Sequence, residues 1–207
     1  MSDWTEEFGR SRTVPPRGQT ARQSDSGRTP QGFKLALKKL DGVSVFQRAL
    51  SVQLRGTLWD SLQHLFYGNT WRSREQQYSG EENTLDIQQE AVYFLSVSSA
   101  SSVLVVELVE LTSQHALGRG FGILQLDSAS PGDQRVAMCK GTPRDLLTPG
   151  LKHTEVTGVE LVCCLQHDAS LRSVIPLLPP NMLISSHTHL PGTTHTPHTP
   201  HSADTVP

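Results

Sequence analysis

Three groups of residues in this sequence carry side chains that could do chemistry. The first is a set of histidines, His187, His189, His195, His198 and His201, spaced by threonines and prolines. Imidazole suits zinc, copper and nickel. A specific site also needs ligands held in place by outer groups, and a His/Thr/Pro repeat supplies neither. The second is Cys163-Cys164 followed by His167, a nucleophile beside a base. Adjacent residues of a strand point to opposite faces, so both thiols cannot line one site. Buried thiols mostly behave as small apolar groups. The third is Gly118-Arg119-Gly120-Phe121-Gly122, which looks like a phosphate loop. Such a loop must follow a strand and open a helix, whereas Ile123-Leu124-Gln125-Leu126 reads as strand. A turn or bulge entering a β-strand is expected instead.

Carboxylates do not gather either. Asp41, Asp60, Asp86, Asp127 and Asp133 stand singly in different segments, and calcium needs several oxygens converging on one ion. Neither CxxC nor paired zinc-ligand spacing occurs. No catalytic residue, no metal and no cofactor is therefore expected, and the chain reads as not an enzyme.

What remains are candidate partner-binding residues. Trp4 and Phe8 are four apart and share a face if a short helix forms, a docking motif for a partner groove. Arg144 lies in Gly141-Thr142-Pro143-Arg144-Asp145-Leu146-Leu147. There Thr142 can cap, Pro143 fits the first helical position and Asp145 sits at the third. One helical turn ending near Thr148-Pro149 would display Arg144.

The elements that must position these residues follow from composition and pattern. The chain has 207 residues, 18 Lys+Arg against 20 Asp+Glu, and 36% hydrophobic residues. That suits one domain with tails. The near-neutral balance argues against nucleic acid as a partner, and no small-molecule substrate is indicated. Three cysteines, an odd count, exclude a fully paired disulfide framework and fit a reduced compartment. The start, Met1 to Glu7, is polar and acidic, unlike a secretory leader. No apolar run approaches the roughly 20 residues of a bilayer span, and Val103 to Val106 is cut short by Glu107. A soluble cytoplasmic chain is expected.

Three parts are expected. Residues 1–31 are rich in Arg, Ser, Gly and Pro and read as a disordered basic arm. Residues 186–207 read as a disordered His/Thr/Pro-rich tail, with too little apolar surface to offset the entropy of ordering. Residues 32–185 carry strands. Phe33, Leu35 and Leu37 alternate with Lys34, Ala36 and Lys38, and Asp41-Gly42 signals a turn. Leu50, Val52 and Leu54 alternate next. Leu58-Trp59, Leu62 and Leu65-Phe66 recur at helical spacing, which predicts a short helix or irregular turn closed by Gly68-Asn69. Val92 to Val97 and Val103 to Val109 are strand-like, and Ser98 to Ser102 between them looks like a hairpin loop. Phe121 to Leu126, Arg135 to Met138 and Val159 to Leu165 complete an antiparallel all-β sandwich or barrel. The run Val103 to Val106 predicts a central strand buried on both faces. Phe33 to Leu40 is expected at a sheet edge, its lysines discouraging stray pairing.

Read together, several segments resemble the N-terminal part of the nephrocystin-4 family, in that family's order. They are Asp3-Trp4, Val14-Pro15-Pro16, Ala21-Arg22-Gln23, Leu40-Asp41-Gly42, Phe66-Tyr67-Gly68-Asn69-Thr70-Trp71 and Tyr93-Phe94. Phe121-Gly122-Ile123-Leu124, Gly141 to Leu147 and Leu177 to Ser185 follow. The resemblance implies a C2-like β-sandwich over 32–185. It also implies that most of the family's longer chain is absent, so that a truncated product or gene model is expected. It implies a non-enzymatic scaffold of the ciliary transition zone and ciliary base, cytoskeleton-associated and also at cell junctions. Implied partners are nephrocystin-1 and the RPGR-interacting protein family. Implied roles are cilium assembly, photoreceptor organisation, kidney development and regulation of Wnt signalling. The alternative is a calcium-independent peripheral membrane module with weak contact to anionic lipid.

Overall fold

The structure, a computed structural model, describes residues 31–87, 89, 92–96, 102–126, 132–148, 155–173 and 183–186. Trp4 and Phe8, the five tail histidines and most of Val97 to Ser102 lie outside the described residues.

Among the described residues, eleven strands form one curled antiparallel sheet. They are β1 (Gln31–Asp41), β2 (Leu50–Asp60), β3 (Leu65–Arg72), β4 (Gln76–Tyr78), β5 (Thr84–Asp86), β6 (Val92–Ser96), β7 (Ser102–Leu111), β8 (Ala116–Gln125), β9 (Gln134–Cys139), β10 (Val156–His167) and β11 (Leu183–Ile184). The order is β11-β6-β1-β10-β9-β8-β7-β2-β3, with β4 beside β2 and β5 beside β1. The antiparallel all-β class is the one the alternation predicts.

Two halves of this path face each other. Among the described residues a single pairing, Phe121 with Cys139, joins β8 to β9, whereas the strands on either side of that junction share long ladders. Leu54, Leu58, Leu104, Val106 and Leu108 of one half meet Phe33, Leu35, Leu161, Cys163 and Leu165 of the other in one core. Burying each large apolar side chain contributes roughly 1.5–3 kcal/mol, so this interface holds the two layers together.

The β8–β9 corner explains the glycine-rich stretch. Gly120 has φ 149°, and a Cβ there would stand 2.8 Å from the Cys139 carbonyl oxygen and 2.8 Å from Thr157 Cγ2. The register against β7 slips between Leu108 and Val109, opposite Gly120 and Gly118. The stretch is thus a bulge within a strand, at the place where the chain needs close backbone approach.

β7 lies between β2 and β8 and is buried along nearly its whole length. Leu104, Val106 and Leu108 face the main core. Val103 and Val105 face outward into a second cluster with Trp59, Phe66 and Phe121, against which Cys139 and Leu146 pack. The expected central strand is therefore found where Val103 to Val106 predicts it.

Three expectations are corrected. Of the short helix or irregular turn expected over Leu58 to Phe66, the turn is found, over 61–64, and the helix is not: Leu58-Trp59 lies near the end of β2, Leu65-Phe66 opens β3, and the two pair as a hairpin. Leu58 and Tyr67 face the main core while Trp59 and Phe66 face the second cluster. Burial on both faces makes consecutive residues apolar and so imitates helical spacing. Asp60 Oδ1 accepts from the Leu62 and Gln63 amides at 2.9 and 3.0 Å, and His64 adopts φ 50°. Those contacts build the tip. Second, β6 and β7 are not the two arms of a hairpin, and the serine-rich stretch expected to be its loop lies, but for Ser102, outside the described residues. β6 pairs with β1 and β11, and β7 with β2 and β8, so these consecutive strands lie in opposite layers. Third, Phe33 to Leu40 is not an edge. β1 sits between β10 on one side and β5 and β6 on the other. Any strand with one wet face alternates Lys with Leu, whether central or at the edge.

Candidate interaction site at the open side of the sandwich

One side of a two-layer curl stays open unless something closes it. Here β11 does so. Leu183 and Ile184 pair with Phe94 and Tyr93 of β6, while the side chains of Leu183 and Ser185 reach the opposite layer. Leu183 is 2% exposed and belongs to the main core. It lies over Gly56 of β2, where a Cβ would stand 3.4 Å from Leu183 Cδ2, 3.6 Å from Trp71 Cε3 and 3.7 Å from Leu104 Cδ1. The missing side chain leaves the space that Leu183 uses. Two residues on, Trp71 Nε1 donates to Ser185 Oγ at 3.0 Å in a buried position. Positions 183 and 185 share a strand face, so both anchors point into the gap.

The charged groups are mostly tied to one another. Glu110 is 1% exposed and accepts from Arg48 Nη2 at 2.6 Å and from Arg119 Nε at 2.7 Å. Burial pushes its carboxyl up, but the bonds from Arg119 and Arg48 outweigh that and hold it below the usual carboxylate value. Asp41 is held low chiefly by Lys39, helped by Thr84 and Arg135. Arg135 bridges Asp41 at 2.9 Å and Glu160 at 3.0 Å, Lys38 pairs with Asp133, and Lys140 pairs with Glu155. Lys34 Nζ lies 5.9 Å from the Tyr93 ring centre.

The thiols fall as strand alternation requires. Cys163 lies in the main core, and Cys164 faces the other way. Burial raises Cys163 to about 12, so it stays a neutral thiol and not a nucleophile. Among the described residues no three His, Cys, Asp or Glu gather as a metal site. No helix among them is long and apolar enough to cross a membrane.

Arg144 is exposed in a short 3-10 turn, Pro143–Leu147. The turn is capped as the sequence predicts: the Thr142 amide donates to Asp145 Oδ2 at 2.8 Å. Leu146 of the same turn packs on the Trp59 and Phe121 cluster. The structure thus brings together Trp71, Gly56, Leu183 and Ser185, none of which stands out as a site in the sequence. Trp71 and Ser185 are 114 residues apart, and no local signal links them.

Over 93% of its length the chain is 30% identical to nephrocystin-4 of Xenopus laevis, and the same figures hold for nephrocystin-4 of Homo sapiens. The chain is similar to nephrocystin-4. It spans 15% of the length of these curated relatives. The nephrocystin-4 resemblance read from short colinear segments is therefore a similarity that runs through most of the strands. No protein-family model matches the chain. Among solved structures, a C2 domain of plant extended synaptotagmin 1 is similar at a TM-score of 0.45 and 10% identity, covering 69% of this chain and 99% of that one. That likeness is to a layout of strands and carries no residue correspondence to the nephrocystin-4-like chain.

Proposed function

We propose that this chain is a non-enzymatic interaction module of a ciliary scaffold. It works at the transition zone and ciliary base, organising cilium assembly and signalling through protein–protein contacts. The similarity to nephrocystin-4 over 93% of the chain carries the reading. The fold agrees with it: a stiff two-layer body offers edges and loops to other chains. Nephrocystin-1 and the RPGR-interacting protein family are the proposed partners.

The test is a tagged chain expressed in ciliated cells. It should concentrate at the ciliary base and co-precipitate nephrocystin-1 at raised salt. A diffuse distribution with no co-precipitation would overturn the reading. The rival is calcium-independent binding to anionic lipid. Lys38, Lys39, Arg48, Arg119, Arg135 and Lys140 each already pair with a carboxylate, which weakens attraction to a charged surface. Co-sedimentation with phosphoinositide vesicles in chelator would favour that rival instead.

A further inference from the structure

We propose that Asp41-Gly42 is a site of covalent self-modification, where the Gly42 nitrogen closes on the Asp41 side chain to give a succinimide and then isoaspartate, and that the fold blocks this reaction until the end of β1 comes free.

The reaction needs only these two residues and water. The Gly42 nitrogen attacks Asp41 Cγ, an N–Cγ bond forms, and the carboxyl loses one oxygen as water. One water then adds back to the five-membered ring. Opening at Cγ restores aspartate, and opening at the main-chain carbonyl leaves the chain running through the side-chain carbon. No oxidant, reductant or further reactant enters. Glycine favours the attack because no side chain crowds its nitrogen and its backbone turns most freely.

The fold requires both residues. Gly42 adopts φ 81°, and a Cβ there would stand 2.1 Å from the Gly158 carbonyl oxygen. Asp41 ties three strands together: Oδ1 accepts from Lys39 Nζ at 3.0 Å and from Thr84 Oγ1 at 3.1 Å, and Oδ2 accepts from Arg135 at 2.9 Å. The contacts that hold the pair also withhold it from reaction. The attacking nitrogen is engaged, since the Gly42 N–H donates to the Asn83 carbonyl oxygen at 2.8 Å. The main chain at Asp41 is fixed on both sides, by Thr84 of β5 and Glu160 of β10. Lys39 above all, with Thr84 and Arg135, keeps the carboxyl further from its protonated form, and the ionised group gives up an oxygen less readily.

The clamp is short. β5 is a three-residue strand, Thr84–Asp86, paired with Lys39 to Asp41, and Asn83 beside it accepts a further bond from Ser44 Oγ at 2.5 Å. Chemistry that needs an opened segment runs at the open-chain rate multiplied by the open fraction. Isoaspartate at position 41 therefore records how long this end of β1 has stood open. It also lengthens the main chain by one carbon, so the pairing of Asp41 and the approach of Gly42 to Gly158 cannot be rebuilt.

The experiment holds the full chain at neutral pH, folded or in guanidinium chloride, and follows the tryptic peptide Leu40 to Arg48. Chromatography separates its two isomers of equal mass, and electron-transfer fragmentation assigns them. Conversion should be at least about tenfold slower in the folded chain. The double variant Ser44→Ala, Thr84→Val, which leaves the core residues in place, should convert faster and exchange the Gly42 amide faster by about the same factor. In the unaltered chain, warming short of the melt should raise both rates together, which keeps the test independent of how the variant folds. Equal conversion in folded and unfolded chains would overturn the proposal, as would no isoaspartate at position 41 in guanidinium. Faster Gly42 exchange with unchanged conversion, on warming or in the variant, would overturn it too.

Discussion

Trp71 of β3 donates its indole N–H to Ser185 Oγ across 114 residues of chain, and both residues are buried. The bond ties the last described segment to the layer opposite the one with which it pairs. Ser185→Ala removes the acceptor, at a cost of about 1 kcal/mol. Thermal melts should show it, with Trp71 emission changing at the same position.

Glu110 and its two arginines make stability depend on pH. The carboxyl is held below its ordinary value of 4.5 in the fold. A depressed folded value adds stability that is complete above the unfolded value and is lost as pH falls through the folded one. Unfolding free energy should therefore drop as pH falls below about 4.5. Glu110→Gln should flatten that slope. At neutral pH it should cost about 2 kcal/mol, between the values for buried and surface pairs, because Arg48 and Arg119 are partly exposed. Urea titrations at several pH values check both points.

Gly120 should not tolerate a side chain. Gly120→Ala combines φ 149° with a Cβ 2.8 Å from the Cys139 carbonyl oxygen. The expected loss is roughly 1–3 kcal/mol. Amide exchange should rise first in β8 and β9, where among the described residues one pairing joins the layers.

Cysteine labelling should follow burial. Cys163 is fully buried and raised to about 12, so at pH 8 iodoacetamide should leave it unmodified in the folded chain and modify it in urea. Cys139 is only half-buried, though burial raises it too, and it should react before Cys163. Peptide mass spectrometry of timed samples gives the order, and early labelling of Cys163 would contradict the packing.

The local elements were legible in the residues. Alternation of Phe33, Leu35 and Leu37, and of Leu50, Val52 and Leu54, marks strands because side chains alternate across a pleat. Thr142, Pro143 and Asp145 mark a capped turn because their chemistry is complete within four residues. The two-sided burial of β7 was legible in an unbroken run of Val and Leu. The hairpin at Leu58 to Phe66 was not, because burial on both faces erases the period of two on which recognition depends.

By itself, then, the chain's sequence determined an antiparallel all-β body, adjacent thiols facing opposite ways, and a likeness to nephrocystin-4. Tertiary structure alone decided which strands are neighbours. It placed β1 in the interior, put β6 and β7 in opposite layers, and set Glu110 between Arg48 and Arg119. It also brought Leu183 and Ser185 to Gly56 and Trp71. Strand alternation records which face is wet, a property of each segment alone. Neighbour choice depends on register and volume matched between segments far apart in the chain, so no local pattern contains it.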